Sequence, residues 1–297
     1  MPKLNKLKPS DIVDTIYIKE IYENTGEVIE YTKPVYSAEA QTKLSENKNI
    51  MLSQKDLHLY LKKEYGNFFF YFYNKLDSYD IKPQYKLRFL YLASHLDYNN
   101  GNMIIRGEYN TKIRLNRQIM KDILNLKDTE FKTTIKVLMD CGLLIKEDKY
   151  YNLNTDCSVK GEIPTNKKDY TRIFIKTIRD LYNKCEPKNH KQLYYVFKML
   201  PVINLQFNMP CYNADCETID NIKPMKLSDI CEVVGYDKSS SNKFWKLIRG
   251  FKIDDNYVVC KHSIDDKEYI AINPRIYYAG TKIENVSYLV RLFDITK

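Results

Sequence analysis

The chain has 297 residues, 44% of them hydrophobic and 13% aromatic, enough to bury the cores of two domains. Its longest aromatic run, Phe68 to Tyr73, is far short of the roughly 20 apolar residues of a membrane helix. The opening MPKLNKLKPSDIVD lacks a signal-segment pattern, so the expectation is a cytoplasmic protein with no membrane partner. The net charge of +9 is uneven: residues 1–84 balance, 85–163 carry +3 and 164–297 carry +6. That gradient suits a polyanionic partner, and it also fits the ordinary basic surplus of a cytosolic protein. Seven scattered cysteines, an odd number, form no disulfide framework and suit a reducing compartment.

Along the chain, DTIYIKEIYENTGEVIEY (Asp14 to Tyr31) alternates apolar and polar residues around Asn24-Thr25-Gly26, which predicts a β-hairpin. Residues 32–50 are polar without a steady period and read as a connection. Ser53 is the expected cap of a helix reaching Tyr65. The aromatic run at 68–73 predicts a buried strand or a short helix, which periodicity does not separate. Lys86 to Asp97 has helical spacing, MIIR at 103–106 is strand-like, and LNRQIMKDILNL forms a short helix capped by Asn116, with Ile119, Ile123 and Leu124 inward. Asp128 is the expected cap of the next helix, whose Phe131, Ile135 and Leu138 recur at i, i+4 and i+7 before Gly142 stops it. LLIKEDKYYNLN then reads as strand, acidic turn, strand.

Helix, strand, helix, turn, helix, hairpin is the order of a winged helix, and the order recurs. HKQLYYVFKML is a first helix and VINLQF a strand. LSDICEVVG is a short helix capped by Ser228, and SSSNKFWKLIRG is a second, capped by Asp237 and stopped by Gly250. FKIDDNYVVCKHSIDDKEYIAIN supplies the hairpin. Asn154 and Gly161 lie 119 residues before Asn273 and Gly280, so NTDCSVKG is a degenerate copy of NPRIYYAG, with Thr155 in place of Pro274. Pro274 ends the last strand, Ile276-Tyr277-Tyr278 packs back on the body, and Gly280 permits a tight reversal. The predicted fold class is α+β: tandem winged-helix domains with an N-terminal β-hairpin extension. The boundaries are 1–50 for hairpin and linker, 51–163 for the first winged helix and 164–297 for the second.

In such a motif the second helix enters the major groove and its outward side chains read bases. In the first copy these are Thr129, Lys132, Thr133 and Lys136. In the second they are Lys238, Ser239, Asn242, Lys243, Lys246 and Arg249, with Lys261 and His262 from the hairpin. Asn and Ser match base edges, and Lys serves phosphates and guanine. The second copy opposes four cations with the single capping carboxylate Asp237, whereas the first carries Glu130 and Asp140 beside its lysines. The second copy is therefore expected to hold DNA more strongly, and the first to contribute to dimerisation or a secondary contact.

Several enzyme classes lack their residues here, so the chain reads as a non-enzyme without cofactor. A rolling-circle initiator needs a His-x-His metal cluster beside a tyrosine, but His58, His95, His190 and His262 are widely separated. Nine glycines form neither GxxxxGK[ST] nor GxGxxG. Cys211, Cys216, Cys231 and Cys260 have irregular spacing for zinc, so no metal site is assigned.

The stretches Ser228 to Gly250 and Ile272 to Gly280, with Asn154 to Gly161 as the weak copy, resemble the winged-helix replication initiators of plasmids and phages of low-GC Gram-positive bacteria. The tandem layout is also similar to iteron-binding plasmid initiators. The resemblance covers roughly residues 85–282. It implies two winged helices on repeated double-stranded DNA near the chain's own gene, a homodimer, and contact with host replication proteins. A transcriptional regulator of a mobile element has the same DNA-binding chemistry. A protein-interaction scaffold is a third reading.

Overall fold

The computed structural model describes Lys6 and residues 8–21, 28–163, 169–264 and 267–295. The chain divides into two compact units, residues 1–60 and 61–297. It is mixed α+β, and among the described residues no helix is long and apolar enough to cross a membrane.

In the first unit, β1 (Ile12–Ile21) and β2 (Val28–Tyr36) form the predicted antiparallel hairpin, with Ile16 opposite Lys33. Its turn, Asn24-Thr25-Gly26, lies outside the described residues. The expected linker is not a loop. The strand runs to Tyr36, and α1 (Ala38–Tyr65) begins immediately and ends in the second unit. Ser37 caps it, its Oγ accepting from Ala40 N at 3.2 Å and its carbonyl from Gln41 N. Residues 38–50 are rich in Ala, Glu, Gln and Lys, so propensity sustains a helix that has too few apolar positions to show a period. Ser53 therefore sits mid-helix instead of capping it.

The second unit is organised by one sheet. β3 (Phe68–Phe72), the aromatic run, leads into α2 (Tyr73–Asp77) and α3 (Pro83–Ala93). The hairpin β4 (Ile104–Arg106) and β5 (Lys112–Arg114) follows. Next come α4 (Arg117–Leu124), α5 (Asp128–Asp140), the hairpin β6 (Leu144–Glu147) and β7 (Tyr150–Leu153), and the short β8 (Ser158–Val159). The second half starts at β9 (Tyr170–Phe174), continues through α6 (Ile175–Lys184) and α7 (His190–Lys198), and makes the small pair β10 (Ile203–Asn204) and β11 (Met209–Pro210). VINLQF thus contributes a strand of only two residues. Then come α8 (Leu227–Val234), α9 (Ser241–Arg249), the pair β12 (Lys252–Ile253) and β13 (Asn256–Tyr257), the hairpin β14 (Val259–Ile264) and β15 (Lys267–Ile272), β16 (Tyr277–Tyr278) and α10 (Ile283–Ile295).

The sheet order is β8-β3-β9-β16, antiparallel throughout. Its register shows the internal repeat. Phe70 and Tyr71 pair with Val159 and Ser158; Arg172 and Ile173 pair with Tyr278 and Tyr277. The inner strands are 102 residues apart and the outer ones 119, and the pairing is the same in both halves. In the central ladder Phe68 faces Phe174, Phe72 faces Tyr170, and Phe70 faces Arg172. Exchanging the halves maps this ladder onto itself, so a pseudo-two-fold axis passes between Phe70 and Arg172. One face of the sheet, through Phe69, Tyr71, Ile173 and Tyr277, enters a hydrophobic core drawn from both halves. Tyr71 Oη lies 3.1 Å from Tyr194 Oη, which donates to Asp77 Oδ1 at 2.8 Å. On the other face Phe70, Phe72 and Val159 cluster.

The repeated asparagine has a structural purpose. Asn273 N donates to the Val258 carbonyl, its Nδ2 to Tyr257 O at 3.1 Å, and its Oδ1 accepts from Arg275 N at 3.0 Å. Asn154 makes the same three bonds, to Leu143 O, Gly142 O at 3.2 Å and Asp156 N at 2.8 Å. Each asparagine locks the base of a hairpin to the turn that delivers the outer strand. Gly280 has a different reason from the expected reversal: a Cβ there would collide with the Tyr278 hydroxyl, which bonds across to the Lys282 carbonyl at 3.2 Å.

Helix boundaries shift: α3 runs Pro83–Ala93 where Lys86 to Asp97 was expected, and the caps move by a residue or more. Asn116 caps α4 as expected, accepting from Ile119 N at 2.9 Å. It is Met120 and Leu124 that are buried, with Ile119 and Ile123 half-buried beside them. Asp128 is the first residue of α5, paired with Lys121 at 2.5 Å, and Ser228 lies inside α8. Both expected stops hold: Gly142 follows α5 in left-handed backbone (φ +70), while Gly250 ends α9 with a right-handed φ of −66.

Candidate nucleic-acid interface

Helix α9 is positioned by its inner face and its start. Phe244 and Ile248 are buried, with the Phe244 ring 5.2 Å from Tyr236 and 5.9 Å from Tyr195. Asp237 caps not α9 itself, whose N-cap Ser240 makes no side-chain cap bond, but the 3-10 turn Lys238–Ser240 that leads into it, Oδ1 accepting from Ser239 N at 3.0 Å and Oδ2 from Ser239 Oγ at 2.7 Å. Those bonds, the Ser239 hydroxyl first, hold the Asp237 carboxyl below its ordinary pKa, so it stays ionised as a cap.

This anchoring leaves Asn242, Lys243 and Lys246 exposed on the outer face. Among the described residues none of the three makes a side-chain hydrogen bond or ion pair. Their neighbours are engaged. Lys238 pairs with Glu232 at 2.6 Å. Arg249 lies over the Tyr257 ring at 4.7 Å, and Lys252 does the same at 4.7 Å. Lys261 pairs with Glu268 at 2.8 Å and stands 5.1 Å from the Trp245 ring centre. The Ser239 hydroxyl donates to the cap and keeps its lone pairs for an incoming donor. His262 stacks on Tyr269, ring centres 5.5 Å apart, with both ring nitrogens buried and unpartnered. Burial lowers its pKa, so it is neutral at pH 7 and adds no charge to the helix face.

Between α9 and the hairpin base, Trp245, Arg249, Tyr257, Val259, Cys260 and Lys261 line a cleft of about 210 Å³. Trp245, Lys252 and Tyr257 were not among the sequence candidates. The signals were the chain's one tryptophan, four residues before Arg249, and the Asp254-Asp255-Asn256 turn, which closes a hairpin absent from the first half.

In the first half, Thr129, Lys132, Thr133 and Lys136 all lie on the exposed face of α5. The Thr133 hydroxyl donates to the Thr129 carbonyl at 2.8 Å, while Lys132 and Lys136 make no ion pair among the described residues. Glu130, which appeared to weaken this face, turns away. Its carboxylate takes Arg88 Nη2, while Arg88 Nη1 donates to Thr134 Oγ1 at 2.7 Å and Nε to His190 Nδ1 at 3.3 Å. The face is more positive than its composition suggests.

Buried histidines carry a pH signature. His190 is held down to about 4 by burial and then by Arg88, and His95 to about 3 by burial and then by Arg179. The unfolded chain takes up protons on both near pH 6.5, so stability is full above that pH and declines as pH falls toward 4. The slope is about 1.4 kcal/mol per pH unit for each histidine. Denaturant melts across pH 7 to 4 check this, and a flat profile over that range counts against both neutral histidines.

Among the described residues no three His, Cys, Asp or Glu side chains gather as a metal site, and no disulfide joins the cysteines. No family model, no characterised protein and no solved structure matches this chain, so the chemistry of this surface is read from the chain itself.

Proposed function

We propose that residues 61–297 form two winged helices that bind double-stranded DNA in a sequence-specific way, and that the protein is a plasmid or phage replication initiator. The observation that carries this reading is the outer face of α9: Asn242, Lys243 and Lys246 sit on a helix with a buried inner face, entered through a capped 3-10 turn, yet among the described residues make no side-chain hydrogen bond or ion pair. Two lysines suit phosphates, and an asparagine between Ser239 and Lys246 suits an adenine edge in the major groove. The pseudo-two-fold sheet supports the reading further, because it relates α9 to α5, whose Lys132 and Lys136 are also unpaired. The initiator role rests on the resemblance of Ser228 to Gly250 and Ile272 to Gly280. A homodimer on repeats near its own gene, and host replication partners, belong to the same proposal.

Footprinting the purified chain on the DNA around its own gene, at two salt concentrations, tests it. Protected repeats with strong salt dependence are expected. Cloning them as a sole origin then separates an initiator from a regulator, and absence of binding at low salt sinks the DNA reading. Asn242→Ala is expected to cost roughly 1–3 kcal/mol on the preferred site and nothing on random duplex. Equal losses on both duplexes would make Asn242 a backbone contact.

A further inference from the structure

Four cations lie around the β4–β5 hairpin and the end of α3, two of them at the hairpin's turn end. Arg106 and Lys112 are direct cross-strand partners. The Lys160 carbonyl accepts from Asn99 N at 2.8 Å, and its ammonium stands 4.8 Å from the centre of the Tyr98 ring. Arg179 reaches in from α6: Nε donates to Ser94 Oγ at 2.9 Å, Nη2 donates to the Ser94 carbonyl at 2.8 Å, and Nη2 lies 3.1 Å from His95 Nδ1. Lys112, through Asp97, and Lys160 and Arg179 therefore lie against residues 94–99, the end of α3 and the turn after it, while Arg106, beside Lys112, donates to the Asn110 carbonyl at 3.2 Å.

One carboxylate answers them. Asp97 pairs with Lys112 at 2.8 Å, and among the described residues Arg106, Lys160 and Arg179 make no ion pair. Burial, and then the positive charges of Arg179, Arg106 and Lys112 set against Asp97, hold the Lys160 ammonium below its ordinary pKa. His95, kept neutral, adds no charge of its own. Holding the half-buried Lys160 and Arg179 near the exposed Arg106 and Lys112 with so little compensation costs free energy that a bound dianion or phosphodiester offsets.

The same hairpin carries a second feature. Its turn places Tyr109 (φ 52, ψ 28) and Asn110 (φ 62) in left-handed backbone, closed by Thr111 N donating to the Glu108 carbonyl at 3.2 Å. This turn type favours Asn-Gly, and a tyrosine there is strained by about 1 kcal/mol. Tyr109 is 98% exposed, so its ring is free on both faces. An aromatic ring beside a cationic groove is the pairing by which proteins hold single-stranded nucleic acid, phosphate on the cations and base on the ring.

We propose that the Arg106, Lys112, Lys160 and Arg179 cluster binds a DNA backbone phosphate, and that Tyr109 stacks on an unpaired base of the same strand. The occupant rests on the DNA-binding reading above; the anion site does not. It would give the protein a grip on DNA that has opened, distinct from the helices that read the duplex.

The test uses the full chain and fluorescence anisotropy on an oligo-dT strand and on a random duplex, across a salt series. Arg106→Gln with Lys160→Gln should weaken oligo-dT binding about fivefold at 0.15 M salt and reduce the salt slope by about one. Arg106→Gln alone, at an exposed position, should show part of that loss with the fold intact. Tyr109→Ala should weaken oligo-dT binding about tenfold and spare the duplex. If the variants bind oligo-dT as the wild type does, with the same slope, the inference is overturned. Should the wild type bind neither DNA, the DNA reading fails, and titration with inorganic phosphate and with ATP decides the site. Binding heat abolished in the double variant retains it for a small phosphate ligand, and absence of heat removes it.

Discussion

Replacing Lys243 and Lys246 together by alanine lowers affinity for duplex DNA about 30-fold at 0.15 M salt and flattens the salt slope by nearly two. Each phosphate contact contributes about 0.9 to the slope of log affinity against log salt, so two contacts at that salt are worth roughly 30-fold. The loss shrinks toward 1 M salt and is the same on every sequence, in contrast to Asn242→Ala. Both lysines are exposed and make no internal ion pair among the described residues, so thermal stability should hold. Undiminished binding in the double variant would show that α9 faces no phosphates, and the reading of this helix would fall with it.

Arg88→Ala is expected to cost about 3–5 kcal/mol of stability. Arg88 is 1% exposed, and from α3 its guanidinium serves three groups on two other helices: Glu130 and Thr134 on α5, and His190 on α7. Removing one partner of a buried, hydrogen-bonded ion pair leaves the others poorly solvated and opens a cavity. The Glu130 side chain is 38% exposed and can rehydrate, which places the cost toward the lower end. A second readout is specific to the network. With the positive charge gone, the His190 pKa should rise from about 4 toward its ordinary value, as NMR titration would detect. A cost below about 1 kcal/mol with an unmoved histidine would mean the guanidinium is not holding these helices together.

Much of the second unit was legible in the chain because its signals are local. Asn116 announces α4 by capping, the i, i+4, i+7 spacing of Phe131, Ile135 and Leu138 announces α5, and the 119-residue offset between Asn154 and Asn273 marks hairpin bases that are built alike. What was missed depends on partners distant in sequence, or on elements without a pattern. Nothing in Ser158-Val159 signals a strand; it is one because Phe70 and Tyr71 lie beside it. The start of α1 has no apolar period, and only propensity and the Ser37 cap define it. In the candidate interface, the exposed positions of α5 and α9 followed from helical phase. Their charge states did not, because Glu130, Lys238, Lys261 and His262 are each tied up by neighbours far along the chain or on another element.

The axis between Phe70 and Arg172 also bears on how the chain can be divided. A cut between the halves near residue 164 would strip five pairings from β3 and the same five from β9, leaving each fragment with an open, aromatic-rich edge. Because the severed edges are related by the two-fold, the natural mate for each is a second copy of itself: Phe70 would meet Phe70 in one product and Arg172 would meet Arg172 in the other. The first product closes an apolar seam, whereas the second sets two guanidiniums face to face with no carboxylate between them. Fusion of the halves into one polypeptide thus joins a half able to pair with its own copy to one whose own charge opposes it.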